Sequence, residues 1–331
     1  MNIQSRPVAT LLLVLVCAIW GIGFVVTEHA LGKLTTQSLN ALRFALAALS
    51  LVPLWLATRK ARPRSSLEGY GALWRAGLGL GLVLFVAFYA QTEGLRFTSV
   101  SNAGFITGLC VPLVPLLAWL VFKAKMTRAI WMAVSLSTLG LYLLTGGTAS
   151  APNKGDLLVL LGAAGFATHI VLTGHYARTL PAITLSLVQM LAVSAYSLLA
   201  SYLLDVDQSK TLFSTQAEHW QSLLSLDIVL AFFWMASLST AFGFWVQTSC
   251  QRTLPAHQVA LVFALEPIFA HLAGALWLGE RLDGWGFAGA AAIIAGMLVA
   301  ELGDRRSAQL HPADLVAAPA PPGNCDEASK T

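Results

Sequence analysis

The chain has 331 residues, of which 56% are hydrophobic and only 11% are charged. A soluble domain carries about 25% charged residues, so this chain has too little polar surface to cover itself in water. The formal net charge of +4 comes from basic residues that are scattered between apolar blocks and form no patch of the kind that binds nucleic acid. Composition therefore excludes a soluble domain and a nucleic-acid partner, and it predicts a protein that lies in a membrane.

The apolar residues fall into blocks of about 20, the length of a helix that crosses about 30 Å of hydrocarbon. These runs are continuous, whereas the strands of a membrane barrel alternate in polarity over about 10 residues. We predict an all-α membrane protein with ten transmembrane helices, at residues 8–28, 38–57, 72–95, 99–122, 128–145, 155–177, 182–204, 227–250, 257–278 and 284–302. Residues 303–331 are rich in Ala, Pro and charge and are predicted to form a disordered cytoplasmic tail.

Basic residues orient these helices, because Lys and Arg concentrate on the cytoplasmic side of a membrane protein. An even number of helices puts both termini on one side. Placing that side in the cytoplasm gives fourteen of the 20 Lys and Arg residues to the inner segments and five to the outer ones. We therefore predict a multi-pass protein of the bacterial inner (plasma) membrane with cytoplasmic N- and C-termini.

The sequence repeats itself after about 155 residues. QTEGLR at Gln91–Arg96 recurs as QTSCQR at Gln247–Arg252, and Pro112 recurs as Pro267. Each copy contains five predicted helices, which is an odd number, so the second copy enters the membrane inverted relative to the first. Secondary transporters are often built from such inverted repeats, with the substrate site near the midplane between them. The two predicted inverted five-helix repeats are residues 8–145 and 155–302.

Several short motifs occur in the order and spacing of a known family. The chain has WGxxF at Trp20–Phe24, LRF at Leu42–Phe44, LEP at Leu265–Pro267 and LGERL at Leu278–Leu282. Over both predicted repeats it resembles the EamA-type branch of the drug/metabolite transporter (DMT) superfamily. The resemblance implies two EamA-like five-helix halves and transport of a small molecule. The first half departs from the family in carrying FKAKMT at Phe122–Thr127, where an acidic ending is usual.

Glu266 is the deepest carboxylate of the chain, near the middle of the ninth predicted helix. A charged side chain at the centre of a membrane helix costs at least about 2.5 kcal/mol, so Glu266 is expected to face protein or water. It is a candidate proton or cation relay, or a partner for a substrate amine. The alternative is a bond to backbone groups that Pro267 frees. We favour this alternative because the resemblance makes a Glu-Pro pair common to transporters of different substrates.

His169, Gln91 and Gln247 are further substrate-binding candidates. His169 is central in the sixth predicted helix, where it could titrate along the pathway or be satisfied by a neighbouring hydroxyl. Gln91 and Gln247 are equivalent in the two repeats, and Tyr89 and Trp245 stand two residues before them. Substrate contact by these side chains competes with hydrogen bonding between helices, which is the more frequent use of such residues in membrane bundles.

Trp20, Phe24 and Arg43 complete the candidates. Trp20 and Phe24 form an aromatic face at mid-depth, too deep for an interfacial belt, so cavity lining and plain packing are weighed equally. Arg43 lies near the outer end of the second predicted helix. Glu266, His169 and Arg43 are the candidates for a proton relay or gate. Snorkelling of Arg43 to the headgroups or pairing with Glu28 or Glu93 is the favoured alternative.

Motifs for other functions are missing from the sequence. No His, Asp, Glu or Cys group has the spacing of a metal or acid–base site, and the four cysteines show no paired spacing, so we predict no enzyme, metal or cofactor. With no nucleotide-binding segment, no ATPase subunit is implied. The sequence predicts a secondary transporter in the lipid bilayer that exports a small-molecule substrate, such as amino acids, related amphipathic metabolites or drugs, by alternating access. An importer with the same fold and a non-transport membrane scaffold are the alternatives.

Overall fold

The computed structural model describes residues 5–59, 67–144, 153–205, 208–277 and 284–310. These residues form helices joined by short connections, and none of them is in a strand. The α-helices are α1 (Arg6–Leu31), α2 (Thr36–Arg59), α3 (Leu67–Gly94), α4 (Val100–Gly108), α5 (Cys110–Phe122), α6 (Arg128–Leu144), α7 (Lys154–Tyr176), α8 (Ala182–Leu204), α9 (Ala217–Leu223), α10 (Leu226–Phe232), α11 (Gly243–Cys250), α12 (Ala256–Phe263), α13 (Glu266–Trp277) and α14 (Gly284–Leu310). A π-helix, Phe233–Phe242, joins α10 to α11. The LGERL motif and the last 21 residues lie outside the described part.

Eight helical stretches are long and apolar enough to cross a membrane, namely α1, α2, α3, α4–α5, α7, α8, α10–α11 with its π-helix, and α12–α13. The fifth and tenth predicted helices correspond to shorter apolar helices, α6 and the first part of α14. Large apolar side chains point away from the bundle: Leu11 is 70% exposed, Leu204 68% and Leu276 78%. Such a surface is stable against lipid and not against water, so the prediction of an all-α integral membrane protein is confirmed.

Two of the membrane-crossing stretches are broken at equivalent places, between α4 and α5 and between α12 and α13. A proline inside a helix has no N–H to donate, and its ring clashes with the carbonyl group four residues earlier. Helix α4 ends at Gly108 and α12 ends at Phe263, which are the residues four positions before Pro112 and Pro267. The proline that recurs in the sequence therefore places the same break in both stretches.

The two broken stretches pass each other close to their breaks. A Cβ atom on Gly108 would lie 2.9 Å from Cγ of Pro267, and one on Gly104 would lie 3.1 Å from Cβ of Ala270. Helix α1 approaches α13 more closely still, because a Cβ atom on Gly21 would lie 2.7 Å from the backbone nitrogen of Ala270. Glycines thus set the spacing between helices at the centre of the bundle.

Polar side chains tie helix ends together at one surface of the bundle. Thr98, in the connection between α3 and α4, donates a hydrogen bond of 2.6 Å to Asp156 in the first turn of α7. Thr35, between α1 and α2, donates one of 2.6 Å to Asp205 at the end of α8. In the predicted topology Thr35, Thr98 and Asp205 lie in outer connections, and Asp156 lies at the outer end of the sixth predicted helix.

The last helix is longer than the sequence analysis predicts. The sequence predicts a disordered tail from residue 303 onward, but α14 continues to Leu310, so the predicted start of the tail lies inside a helix. Residues 303–310 read GDRRSAQL, a polar run without proline whose residues are, Gly303 apart, acceptable in a helix. Pro312 stands two residues beyond the helix end, where a proline disfavours further helix. The rest of the predicted tail is outside the described residues.

Replacing Gly21 by Ala should destabilise the protein. The new Cβ atom meets backbone atoms of α13, which cannot turn aside, and overpacking of this kind costs about 1–3 kcal/mol. Gly79 is the matched control, because it lies inside α3 with no neighbouring atom within 4 Å of an added Cβ. Reversible SDS unfolding in mixed micelles should give a lower free energy of unfolding for Gly21→Ala and no loss for Gly79→Ala. Equal stability of the two variants would contradict the close approach of α1 to α13.

Candidate functional site

A cavity of about 700 Å³, counting the part open to solvent, lies between the helices. Its walls come from α1, α2, α3, α4 and α5 in the N-terminal half and from α7, the π-helix, α11, α12 and α13 in the C-terminal half. We call this space the central cavity.

Seven of the nine residues singled out from the sequence line the central cavity. They are contributed by six different helices. They are Trp20, Phe24, Arg43, Gln91, His169, Gln247 and Glu266. Hydrocarbon offers a polar side chain no hydrogen-bond partner. The polar side chains of this set face the cavity and so do not need to contact hydrocarbon.

Tyr89 and Trp245 are the two candidates that do not line the central cavity. Tyr89 stacks on Phe85 with ring centroids 6.4 Å apart, and Trp245 packs edge-on against Phe242, also at 6.4 Å. Residues two positions apart in a helix are about 200° apart around its axis. Each ring therefore lies on the opposite face from the glutamine that follows it.

Phe88 and Phe244 take the places that were predicted for Tyr89 and Trp245. Each stands three positions before its glutamine, Gln91 or Gln247, and so shares the glutamine's face. The two rings line the cavity and contact each other, with centroids 5.9 Å apart. FYAQT at residues 88–92 matches FWVQT at residues 244–248, so these are equivalent residues of the repeat. The repeat alignment combined with helical periodicity could have identified them from the sequence.

An aromatic wall runs through the centre of the site. Phe88 contacts Phe244, Phe244 lies 5.4 Å from Trp20, and Trp20 lies 4.9 Å from Phe263, measured between ring centroids. All four line the central cavity, and Phe166 adds an edge-to-face contact with Phe88 at 5.1 Å. We use "aromatic wall" for Phe88, Phe244, Trp20 and Phe263. It gives the cavity a surface suited to apolar groups.

Arg43 does not reach the headgroups or a carboxylate, which is what the favoured alternative predicts. It is only 6% exposed and forms no salt bridge with Glu28, with Glu93 or with any other carboxylate in the described ranges. Its Nε donates to Thr240 Oγ1 at 2.7 Å and its Nη2 to Ser239 Oγ at 3.1 Å. The headgroup and ion-pair interpretation is therefore wrong for this structure, because hydroxyls within the bundle hold the guanidinium at the cavity.

The π-helix supplies those hydroxyls and also binds Trp20. In a π-helix the N–H groups bond to carbonyls five residues earlier, a rare geometry that is frequent at functional sites. The indole N–H of Trp20 donates to the carbonyl of Ser239 over 2.7 Å. Gly243 permits this contact, because a Cβ atom there would lie 2.6 Å from Nε1 of Trp20. Nothing in the residue pattern of the eighth predicted helix indicates this local widening.

Glu266 is the first residue of α13, directly after the break that Pro267 causes. Its carboxylate lines the central cavity and makes no hydrogen bond or salt bridge with the residues that the structure describes. The carboxylate therefore does not bind the backbone groups freed by Pro267, which was the favoured alternative. In the first repeat the equivalent residue is Val111, which is fully buried.

The remaining polar candidates have partners inside the bundle. Nε2 of His169 lies 2.9 Å from Oε1 of Gln189 and 3.3 Å from the hydroxyl of Thr173. Gln91 donates to Thr107 on α4 at 2.8 Å, as expected for hydrogen bonding between helices. These contacts fix the side chains in position at the cavity wall.

Gln247 is part of a short hydrogen-bonded chain. Its Nε2 lies 3.4 Å from Oε1 of Gln251, which in turn donates to the carbonyl of Ile170 on α7 at 2.7 Å. No group of three or more His, Cys, Asp or Glu side chains with the arrangement of a metal site occurs within the described ranges. The described residues that line the site are one guanidinium, one carboxyl group, neutral polar groups, apolar side chains and aromatic rings.

Comparison with known proteins gives a consistent result. The sequence profile of the EamA-like transporter family matches the chain twice, over residues 8–146 and 153–301. An uncharacterized transporter of Archaeoglobus fulgidus is 29% identical over 298 residues, covering 90% of this chain and 87% of the relative. A probable amino-acid metabolite efflux pump of Salmonella typhimurium is 25% identical over 301 residues, covering 89% and 95%. A crystal structure with 20% sequence identity aligns over 92% of this chain and 99% of its own, with a TM-score of 0.69, and so has the same fold.

Cysteines introduced on the two faces of α3 should differ in reactivity. In a variant without the native cysteines, Gln91→Cys should react with a charged, membrane-impermeant thiol reagent, because residue 91 lines the water-accessible cavity. Tyr89→Cys should react much more slowly, because it lies on the opposite face. Mass spectrometry of the labelled protein measures both rates. Faster labelling at residue 89 than at residue 91 would contradict the assignment of the cavity-facing side.

Proposed function

Because the chain belongs to the EamA-like transporter family, we propose that it is a secondary transporter that exports small amphipathic metabolites by alternating access. Amino acids, related compounds and drugs are the proposed substrates. The similarity to a probable amino-acid metabolite efflux pump supports this substrate range and the export direction. As an integral membrane transporter it moves a small molecule across the lipid bilayer.

The observation that carries the proposal is that both halves of the chain build the central cavity. Phe88 and Gln91 line it from the first half, and their equivalents Phe244 and Gln247 line it from the second. A ligand between them contacts both repeats at once. Rocking of one half against the other would then expose the same site to each side of the membrane in turn.

The proposed architecture is ten membrane-crossing helices in two inverted repeats, in the bacterial inner membrane with both termini cytoplasmic. The ten predicted spans each coincide with a helical stretch, and the family profile matches each half separately. Thr98–Asp156 and Thr35–Asp205 join segments that this topology places together on the outer side. The excess of basic residues on the other side supports the orientation.

Within this proposal the cavity residues take different roles. Trp20, Phe24, Gln91, His169, Gln247 and Glu266 bind the substrate, joined by the four rings of the aromatic wall. Glu266, His169 and Arg43 are the candidates for a proton relay or gate, because they are the side chains at the cavity that are charged or can change charge. With no nucleotide-binding segment in the sequence, an ion gradient or the membrane potential supplies the driving force. Tyr89 and Trp245 are not part of the proposed site, because they do not line the central cavity.

Expression of the protein in a bacterium should accelerate efflux of at least one preloaded amino acid or apolar drug. Rates are measured with radiolabelled compounds, in cells with the empty vector as reference and with a protonophore to collapse the gradient. Thr107→Trp should reduce efflux to the vector rate, because Thr107 lines the cavity and a tryptophan there fills it.

Leu116→Trp is the matched control, because Leu116 on α5 is 39% exposed on the outside of the bundle. It should export at the wild-type rate, with equal amounts of both variants in the membrane. Two results would contradict the proposal: efflux at the vector rate for every compound in cells that contain folded protein, or normal efflux through Thr107→Trp.

A further inference from the structure

Basic side chains that are far apart in the sequence come together at one end of the bundle. Three connections meet there: the one between α5 and α6, the one between α7 and α8, and the one between α11 and α12. Phe122, the last residue of α5, stacks on His175 of α7 with ring centroids 5.1 Å apart. A Cβ atom on the neighbouring Gly174 would lie 3.4 Å from Nε2 of Gln251 and 3.6 Å from Cβ of Ala256. The three connections therefore form one continuous surface.

This surface carries positive charge and no negative charge. Segments 118–130, 172–184 and 249–259, which contain the three connections, include no Asp or Glu. Their Lys and Arg side chains are all exposed, and none forms a salt bridge with a carboxylate in the ranges that the structure describes. We use "basic surface" for Lys123, Lys125, Arg128, Arg178 and Arg252. A surface with charges of one sign attracts ligands of the opposite sign.

Lys123 has a backbone conformation that residues with a side chain rarely adopt. It is the C-cap of α5, with φ 52° and ψ 33°, and it is the only non-glycine residue with a positive φ among those that the structure describes. Glycine is the usual residue in this conformation at a helix end, because it has no Cβ atom to clash. The chain therefore has a lysine where glycine would fit the backbone better, which points to a use for the charge.

The side chain of Lys123 lies beside an apolar surface that faces lipid. Its ammonium nitrogen is 5.9 Å from the ring centroid of Trp119, which is 49% exposed. Leu120, Val121 and Phe122 complete the exposed apolar end of α5. Trp and Lys side chains at the end of a membrane helix lie at the level of the lipid headgroups. The basic surface thus borders hydrocarbon on one side and water on the other.

A phospholipid with an anionic headgroup is the partner that fits both features. Its phosphate accepts hydrogen bonds from lysine and arginine, while an acyl chain packs on the exposed end of α5. A soluble anion would contact the basic residues and leave the apolar side chains beside them without a partner. A headgroup with one phosphate leaves most of the basic surface unpaired, so a headgroup with two phosphates fits better.

We propose that the basic surface binds an anionic phospholipid, and that cardiolipin, which has two phosphates, binds more tightly than phosphatidylglycerol, which has one. The phosphates lie on the basic surface and an acyl chain lies against Trp119. This lipid site is separate from the central cavity and does not depend on the direction of transport.

Native mass spectrometry of the full-length protein in detergent measures binding of three lipids with the same acyl chains: cardiolipin, phosphatidylglycerol and zwitterionic phosphatidylethanolamine. Each basic residue at an anionic lipid surface contributes about fivefold in affinity. The wild type should therefore bind cardiolipin at least about tenfold more tightly than phosphatidylethanolamine, with phosphatidylglycerol between them. The double variant Lys123→Gln, Lys125→Gln should weaken cardiolipin about 25-fold and leave phosphatidylethanolamine unchanged.

The double variant Lys33→Gln, Lys210→Gln is the matched control. Both lysines are exposed and lie at the other end of the bundle in the predicted topology, so removal of the same charge there should not alter cardiolipin binding. Lys123→Gly separates the charge from the fold. It should weaken cardiolipin about fivefold without loss of stability in reversible SDS unfolding, because glycine fits the left-handed backbone.

Phosphatidylethanolamine bound as tightly as cardiolipin would overturn the proposal, as would equal losses for the two lysine pairs. Inorganic pyrophosphate has two phosphates and no acyl chain, and it should not displace cardiolipin. Displacement by pyrophosphate would mean that the basic surface binds soluble anions, and the assignment to a lipid would then be wrong.

Discussion

A charged side chain inside a bilayer has to find its partner within the protein or in a water-filled space, and the centre of this protein follows from that constraint. Arg43 and Glu266 both turn away from lipid to one cavity. The hydroxyls of Ser239 and Thr240 in the π-helix hold the first, and the break before Pro267 exposes the second. The irregular backbone therefore occurs where the helices surround a cavity.

The two halves share their framework and differ in their charges. Pro112 and Pro267 break equivalent helices directly after Gly108 and Phe263. The equivalent rings of Phe88 and Phe244 meet at the cavity. Glu266 has no acidic counterpart, because a buried valine occupies its place in the first repeat. The shared features suit the proposed movement of the two halves, whereas the unshared Glu266 makes the cavity chemically different on its two sides.

Much of this could be predicted from the sequence, because hydropathy and proline act locally. The helices Ala182–Leu204 and Arg128–Leu144 begin where the apolar runs begin, and the helix breaks follow from the position of proline. The sequence did not indicate the π-helix or the partners of Arg43, since both depend on how separate helices pack. The prediction of Tyr89 instead of Phe88 was wrong for another reason. The helical period favours the residue three positions before Gln91, and the sequence alone contains that information. The helix that continues past residue 303 shows that polarity alone does not decide where a helix ends.

The central claim is that the substrate site is the central cavity, which both halves of the chain line. A structure of the protein in lipid nanodiscs with a bound compound that it exports tests this claim most directly. The account predicts the compound inside the central cavity, in contact with Phe88 or Gln91 of the first half and with Phe244 or Gln247 of the second. A compound bound outside the central cavity, or in contact with one half alone, would contradict the account.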